Sequence, residues 1–402
     1  MIAVLVLVVG CVKTGYSAEF ATAGPRALGM GGAQVANALD ATGIYYNPAG
    51  ISANKKKFDI RIPATVILKD HGDIQDKVED LDDLLGQLEF DDLVANAAAI
   101  NSNLATINAV QDKLREIEAQ DGESTGYGNV GGYTTFKVYG HSVGLAVYAD
   151  FHATVMDNID LTRINATIPA LDANSLGNNQ SYIDLRAVMP INFGLTYGRS
   201  FMEDRLHAGI TARYITAKGY RQVINADSDD IDVLDDVKDT STTTNTFTVD
   251  LGVLYRVTEK LNVGIAAKNL TSPEIDLPAS GGLGEEKFKM EPQVRLGVSY
   301  NYWRGGNAAI DIDLTENETI AENYNERQIS FGVEQTFGSR TNKLLAELFT
   351  VRLGAYKNIA EDDTPFVPAA GIGLGIAGFR LDVSGAYAED EYGAGVDIAF
   401  SW

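Results

Sequence analysis

His71, His141, His152 and His207 are the side chains best suited to move protons near neutral pH, and they are scattered along the chain. No serine precedes a histidine at triad-like spacing, and no nucleophile elbow is present. The chain therefore reads as a non-enzyme with no catalytic residue, no metal ligand set and no cofactor. Residues 227–239 hold seven aspartates and one lysine, carboxylates that a divalent cation could use. They lack the fixed glycine and closing glutamate of an EF-hand loop, so a solvated acidic loop is the preferred reading. Gly29-x-Gly31-Gly32 offers backbone amides to a phosphate, but a dinucleotide loop needs a strand before it and a helix after it. Neither pattern is there.

More telling are charges that share one side of a repeating pattern. Asp59, Arg61, Arg213, Asp250, Arg295, Asp311, Glu334, Arg352 and Arg380 each alternate with apolar neighbours, as do His207, Asp313 and Asp382. Strand side chains point alternately to opposite faces, so these charges line the face opposite an apolar one. A soluble core strand seldom points Arg or Asp inward so often. A water-filled or salt-bridged lumen accounts for all of them, and the first nine are the candidate lumen-facing set.

The elements that would hold them recur fourteen times: 58–66, 132–139, 143–148, 189–197, 206–214, 247–255, 261–265, 294–302, 310–314, 329–337, 349–355, 372–376, 379–387 and 392–402. The last segment places Tyr392, Val396, Ile398, Phe400 and Trp402 on one face, with Glu391, Asp397 and Ser401 on the other. Even-numbered connections are short and most odd-numbered ones long, as in a membrane barrel with short periplasmic turns. The expectation is an all-β fold, a 14-stranded antiparallel transmembrane β-barrel in the bacterial outer membrane. Both termini are periplasmic, and the closing strand lies between 379–387 and 58–67. Tyr197, Tyr255, Tyr300, Tyr302, Trp303 and Trp402 suit interfacial girdles. Outer-membrane lipid and lipopolysaccharide are then partners, as is the assembly machinery that reads a final strand ending in Trp402.

Bulk properties agree with that class. The 402 residues suffice for one such barrel, and 40 glycines suit bent strands around a crowded lumen. A net charge of −23 carries no basic footprint, so nucleic acid is excluded as a partner. Residues 1–12 are continuously apolar yet too short to span a bilayer. Residues 1–18 read as a signal peptide cleaved near 17–19, truncated at its start because a basic stretch is missing. Cys11, the single cysteine, offers a lipidated start as the lesser alternative.

Two regions depart from the period of two. Residues 70–120 shift to a helical period, with stripes Ile74, Val78, Leu81, Leu85, Leu88 and then Leu93, Ala97, Ile100, Leu104, Ile107, Leu114, Ile117. They read as a helical hairpin inserted in the first extracellular loop, its apolar faces packed on each other or over the barrel mouth. Residues 19–54 fit no strand and are dense in small residues, suited to an N-terminal plug inside the barrel that begins at 55.

Within that segment lie Arg26-Ala27-Leu28-Gly29-Met30-Gly31-Gly32-Ala33, the pair Asp40-Ala41, and Tyr45-Tyr46-Asn47-Pro48-Ala49-Gly50. These motifs resemble the N-terminal hatch of the FadL-like outer-membrane proteins. That superfamily takes in long-chain fatty acid and aromatic-hydrocarbon transporters, TraF-labelled conjugal-transfer barrels and PorV-like secretion components. The resemblance implies a plugged barrel for passive uptake of hydrophobic small molecules, released sideways past a hatch at Asn47, Pro48 and Ala49. Gly50 joins them because it permits close approach. The alternative is that the motif folds the plug and gates nothing. The helical insertion in the first loop rather than in later loops is closer to the TraF-labelled relatives. It leaves open a non-transporting role in conjugation, secretion or surface interaction.

Overall fold

The computed structural model describes residues 20–70, 80, 83–84, 87, 104–118, 124–163, 180–225, 241–321, 324–339, 344, 347–361 and 364–402. The expected signal segment with Cys11, His71, the aspartates of 227–239 and the whole of the first helical stripe lie outside the described residues. So do Leu93, Ala97 and Ile100.

In chain order the strands begin β1 (Phe58–Asp70), β2 (Ser124–Val138), β3 (His141–Asn158), β4 (Tyr182–Phe201), β5 (Leu206–Asn225) and β6 (Ser241–Arg256). Then come β7 (Leu261–Lys268), β8 (Glu274–Leu277), β9 (Glu286–Lys289), β10 (Gln293–Trp303), β11 (Gly306–Asp313), β12 (Asn317–Glu318) and β13 (Asn325–Glu326). The last are β14 (Gln328–Phe337), β15 (Phe349–Asn358), β16 (Val367–Ile376), β17 (Phe379–Tyr387) and β18 (Glu391–Ser401). Fourteen of them close into one antiparallel barrel, with β8–β9 and β12–β13 as separate hairpins. The seam joins β1 to β18, where Ile62 faces Ile398 and Ala64 faces Val396.

All fourteen alternating segments are wall strands, and the closing strand sits between β17 and β1 as its pattern requires. Several strands extend past the segment that announced them. β2 begins at Ser124 because Gly126, Gly128, Gly131 and Gly132 blank out its alternation. β4 and β5 reach 20 residues each; the long-loop half of β5 carries Thr216, Lys218 and Gln222 on its outer face, and that of β4 carries Val188 and Pro190 on its inner face, so both lose the apolar contrast.

The outward row is apolar and exposed, including Leu145, Leu195, Phe247, Ile310, Leu353, Leu374 and Ile398. Hydrocarbon, not water, suits such a face. One barrel end carries the short turns, 139–140, 202–205, 257–260, 304–305 and 377–378, together with the 338–348 connection. Tyr139-Gly140 and Ala377-Gly378 hold positive φ at both positions, the primed turn that matches strand twist in a two-residue hairpin. The long connections lie at the other end, where α4 (Leu104–Glu118) rests on β3. To keep labels in chain order, α1 is Pro25–Gly29, α2 Gly43–Tyr46 and α3 Gly50–Ala53.

Candidate functional site: a filled lumen

Residues 20–54 carry α1 to α3 and are almost entirely buried. The segment runs round the inside of the wall. Helix α1 lies on β15 to β18, Met30 on β14 and β15, Val35 on β7 and β10, Asn47 and Pro48 on β5 and β6, and Ile51 on β4. Wall glycines are where it touches down. A Cβ at Gly252 would overlap Asn47 Oδ1, one at Gly209 would overlap the Pro48 carbonyl, and one at Gly354 would overlap Met30 and Gly31. Glycine on the inward face of a strand here makes room for a second backbone.

Asn47 leaves α2 in an extended conformation, which turns its amide toward two carbonyls. Its Nδ2 donates to Val35 O at 2.8 Å and to Val253 O at 3.2 Å, while Oδ1 accepts from Ala49 N at 3.1 Å. Pro48, Ala49 and Gly50 follow, all buried, and a side chain at Gly50 would overlap Ala38 O. Those four positions thus form a hydrogen-bonded anchor between the inner segment and β6.

The inward charges divide into two groups. Asp59, Arg61, Asp311 and Glu334 hold the inner segment. Asp59 Oδ2 accepts from Ala41 N at 2.7 Å, and Asp311 Oδ2 accepts from Gln34 N and Val35 N at 2.7 and 2.8 Å. Arg61 approaches Asp40 at 3.4 Å, and both Glu334 oxygens accept from Arg26 at 3.2 Å. The other members pair within the wall. Arg213 grips Asp250 through two bonds of 2.7 and 2.9 Å, and Arg295 binds Asp313. Arg352 bridges Glu334 and Asp382 at 2.6 and 2.7 Å, and Arg380 also binds Asp382 at 2.6 Å. Buried charge is tolerable only when paired or hydrogen-bonded; each of these arginines meets a carboxylate, and Asp311 is held by two backbone amides instead. Between the two lumens the alternation allowed, this one is salt-bridged. Burial pushes the Asp40 carboxyl up, but Arg61 and Arg26 outweigh it and hold the group below its ordinary range.

Two histidines find partners that sequence spacing hid. Ser52 Oγ lies 2.9 Å from His207 Nδ1, 155 residues away, and Ser52 also donates to Ala49 O. Both residues are buried, so the contact ties α3 to β5 rather than exposing a nucleophile. His152 lies in the lumen against Tyr127 and Phe288.

The connection between 261–265 and 294–302 shows no strand pattern long enough to register, yet it holds β8–β9, which folds back over β5 and β6. Its Ile275, Leu277 and Phe288 are fully buried with Val188, Ile215 and Ala217 of the wall, forming an apolar layer in the long-loop half. The four-residue apolar alternation at 274–277 was the available signal, too short to register. A second layer, rich in tyrosine, lies deeper. Tyr45, Tyr46, Tyr133 and Tyr148 pack edge-on or stacked, with Phe20 beside them. Lys268 Nζ stands 3.6 Å from the Tyr45 ring centre and 4.6 Å from that of Phe20.

Beside this second layer the wall ladder is interrupted. β1 pairs with β2 at Arg61↔Tyr133 and next at Ala64↔Val130, leaving Ile62 and Pro63 unpaired opposite Gly131 and Gly132. Proline has no N–H to give the ladder. A Cβ at Gly132 would meet nothing within 4 Å, whereas one at Gly131 would overlap Tyr148.

Compared with protein families, residues 44–313, about two thirds of the chain, match the model described as "F plasmid transfer operon, TraF, protein". The chain belongs to this TraF family. Among solved structures, the TraF-family barrel is similar to the CymD monoaromatic hydrocarbon channel at 12% identity and TM-score 0.54. That likeness covers 96% of this chain and 99% of the other. The toluene transporter TbuX of Ralstonia pickettii gives 12% identity, 94% and 98% coverage and TM-score 0.54. A mutant TodX monoaromatic hydrocarbon channel gives 9%, 94% and 97%, and 0.50. At such identities the likeness is one of fold. Compared by sequence with curated proteins, the chain has no match. The expected kinship with TraF-labelled barrels is borne out by the family match, and the expected 14-stranded barrel by the fold. The chain shares the barrel fold of these solved structures, a hydrocarbon channel and a toluene transporter.

Proposed function

We propose that this TraF-family barrel is a passive route for hydrophobic small molecules, fatty-acid-like or hydrocarbon, across the bacterial outer membrane. In this reading the long loops face outward, and both termini and the short turns face the periplasm. The observation that carries it is the pair of apolar layers inside a charged barrel, the deeper one lying beside the broken β1–β2 ladder. A hydrophobic molecule enters beneath β8–β9, crosses to the tyrosine layer, and leaves sideways at Pro63 and Gly131-Gly132. The ion-paired plug, residues 20–54, blocks the straight path. Asn47, Pro48, Ala49 and Gly50 anchor that plug against β6; their three hydrogen bonds favour seating over swinging. Outer-membrane lipid and lipopolysaccharide surround the apolar face, and the assembly machinery reads the final strand at its exposed Trp402.

The test is Gly132→Leu in proteoliposomes loaded against a lipophilic probe. A Cβ at Gly132 meets nothing within 4 Å, so the substitution starts in open space, and heat-modifiability on gels verifies that the barrel has assembled. Uptake falls severalfold if the sideways exit is used. Wild-type uptake no faster than through empty liposomes sinks the proposal. A second reading, a surface protein for conjugation or secretion, is favoured by the family match and by α4, which rests on β3 at the long-loop end. Removing residues 70–120 then abolishes partner capture while uptake, if any, persists.

A further inference from the structure

The short-turn end opens into a vestibule of about 1340 Å³, framed by the wall and the underside of the inner segment. Pockets for small molecules usually hold ~300–1,000 Å³, so this one suits something larger. Its charge runs against that of the chain. The protein carries −23 overall, yet eight basic and five acidic side chains line the vestibule; with Asp382 and Asp397, which hold the arginines from behind the lining, the balance is still one positive charge.

Four of those cations, Arg26, Arg61, Arg352 and Arg380, are consumed by the buried ion pairs. Three others are not. Among the described residues, Lys55, Arg256 and Arg304 have no carboxylate within ion-pairing distance. The Nδ2 of Asn37, buried and lining the same space, has no acceptor. Trp303 and Phe337 stand exposed at the rim. Arginine and tryptophan around a concave, amide-rich floor are the residue types that anchor protein partners.

We propose that this vestibule docks an extended, acidic peptide segment of a partner protein on the short-turn side. Unspent cations receive its carboxylates, Asn262, Asn301 and Asn307 offer amides to its backbone, and Trp303 covers an apolar residue. A neutral hydrophobic ligand gains nothing from such a lining, so the site is distinct from the proposed route and independent of whether the barrel conducts.

Binding of a fluorescent oligo-glutamate peptide to the full chain in detergent micelles tests this, read by anisotropy beside an oligo-serine control. The matching variant is Lys55→Gln/Arg256→Gln/Arg304→Gln, positions partly or fully exposed and outside the buried pairs. Expected are saturable binding of the acidic peptide that weakens with added salt, and a rise in Kd of about tenfold or more in the variant. If the triple variant does not assemble, Arg304→Gln alone, in an exposed turn, carries the comparison with a smaller rise. Equal binding of oligo-serine, an unchanged Kd in the variant, or full displacement by inorganic phosphate at matched ionic strength each overturns the proposal.

Discussion

Replacing Asn47 by alanine is the sharpest local challenge to the seating of the plug. The side chain is wholly buried and makes three hydrogen bonds, to Val35 O, Val253 O and Ala49 N. Val253 O also belongs to a ladder strand, so its loss counts least. Val35 O and Ala49 N are left without partners in a dry interior, and each orphaned group costs ~1–3 kcal/mol. Asn47→Ala therefore weakens the seating by about 2–6 kcal/mol, while the barrel ladder, which loses only the Asn47 amide at Val253 O, stays intact. With ~1.4 kcal/mol per factor of ten, backbone amides of 43–54 lose about 30-fold to ten-thousand-fold of their protection against hydrogen exchange. The assay is exchange followed by mass spectrometry in micelles, with β5 and β6 peptides as internal controls. Protection of 43–54 within a factor of about three of wild type refutes the anchoring argument, since the alanine variant keeps only the backbone bonds of residue 47 to Gly43 and Gly50, which lie inside the segment. Loss of protection across β5 and β6 as well refutes the separation of plug from wall.

Gly252→Val drives a side chain into Asn47 and Pro48 and costs ~1–3 kcal/mol by overpacking; it should lower protection of the same peptides without lowering that of β14. Arg352→Met strips a cation from Glu334 and Asp382, but Arg26 and Arg380 remain beside them, so the thermal transition falls by less than the ~3–5 kcal/mol of a fully orphaned buried charge. Equal heat-modifiability on gels for Arg352→Met and Arg352→Ala/Asp382→Ala would contradict that ordering. Asp40 is held below its unfolded value of ~3.9, so its contribution is complete above that pH and drains away as pH falls through the lower folded value. Plug protection should accordingly drop between neutral and strongly acid buffer in wild type, and Asp40→Asn should shrink that difference, the remainder coming from the other carboxylates that hold the segment.

The wall was legible because a membrane barrel writes each face into alternate positions. Phe379, Leu381 and Val383 against Arg380, Asp382 and Ser384 name both the lipid side and the lumen side before any coordinates exist. Pairings across the lumen were not legible. Arg213 with Asp250 could be guessed from neighbouring strands, whereas Asp311 taking the amides of Gln34 and Val35 depends on where the inner segment lies. Wall glycines such as Gly252 and Gly354 read as thin wall, yet only the approach of Asn47 and Met30 explains why those positions and not others. The β8–β9 hairpin was missed because its strands are four residues long, and the ladder break at Pro63 because a proline in an edge-like position gives no sign of what faces it.

The central claim is that hydrophobic molecules pass through the apolar layer beneath β8–β9. Asp276 N donates to Thr244 Oγ1 at 3.0 Å, so cysteines at these two positions can lock the hairpin onto β6. Flux of a neutral aromatic probe into proteoliposomes, measured on Thr244→Cys/Asp276→Cys before and after reduction, tests it most directly. The claim predicts flux near the empty-liposome level when the bridge is oxidised and wild-type flux once it is reduced. Equal flux in both states, with the bridge verified, would contradict it.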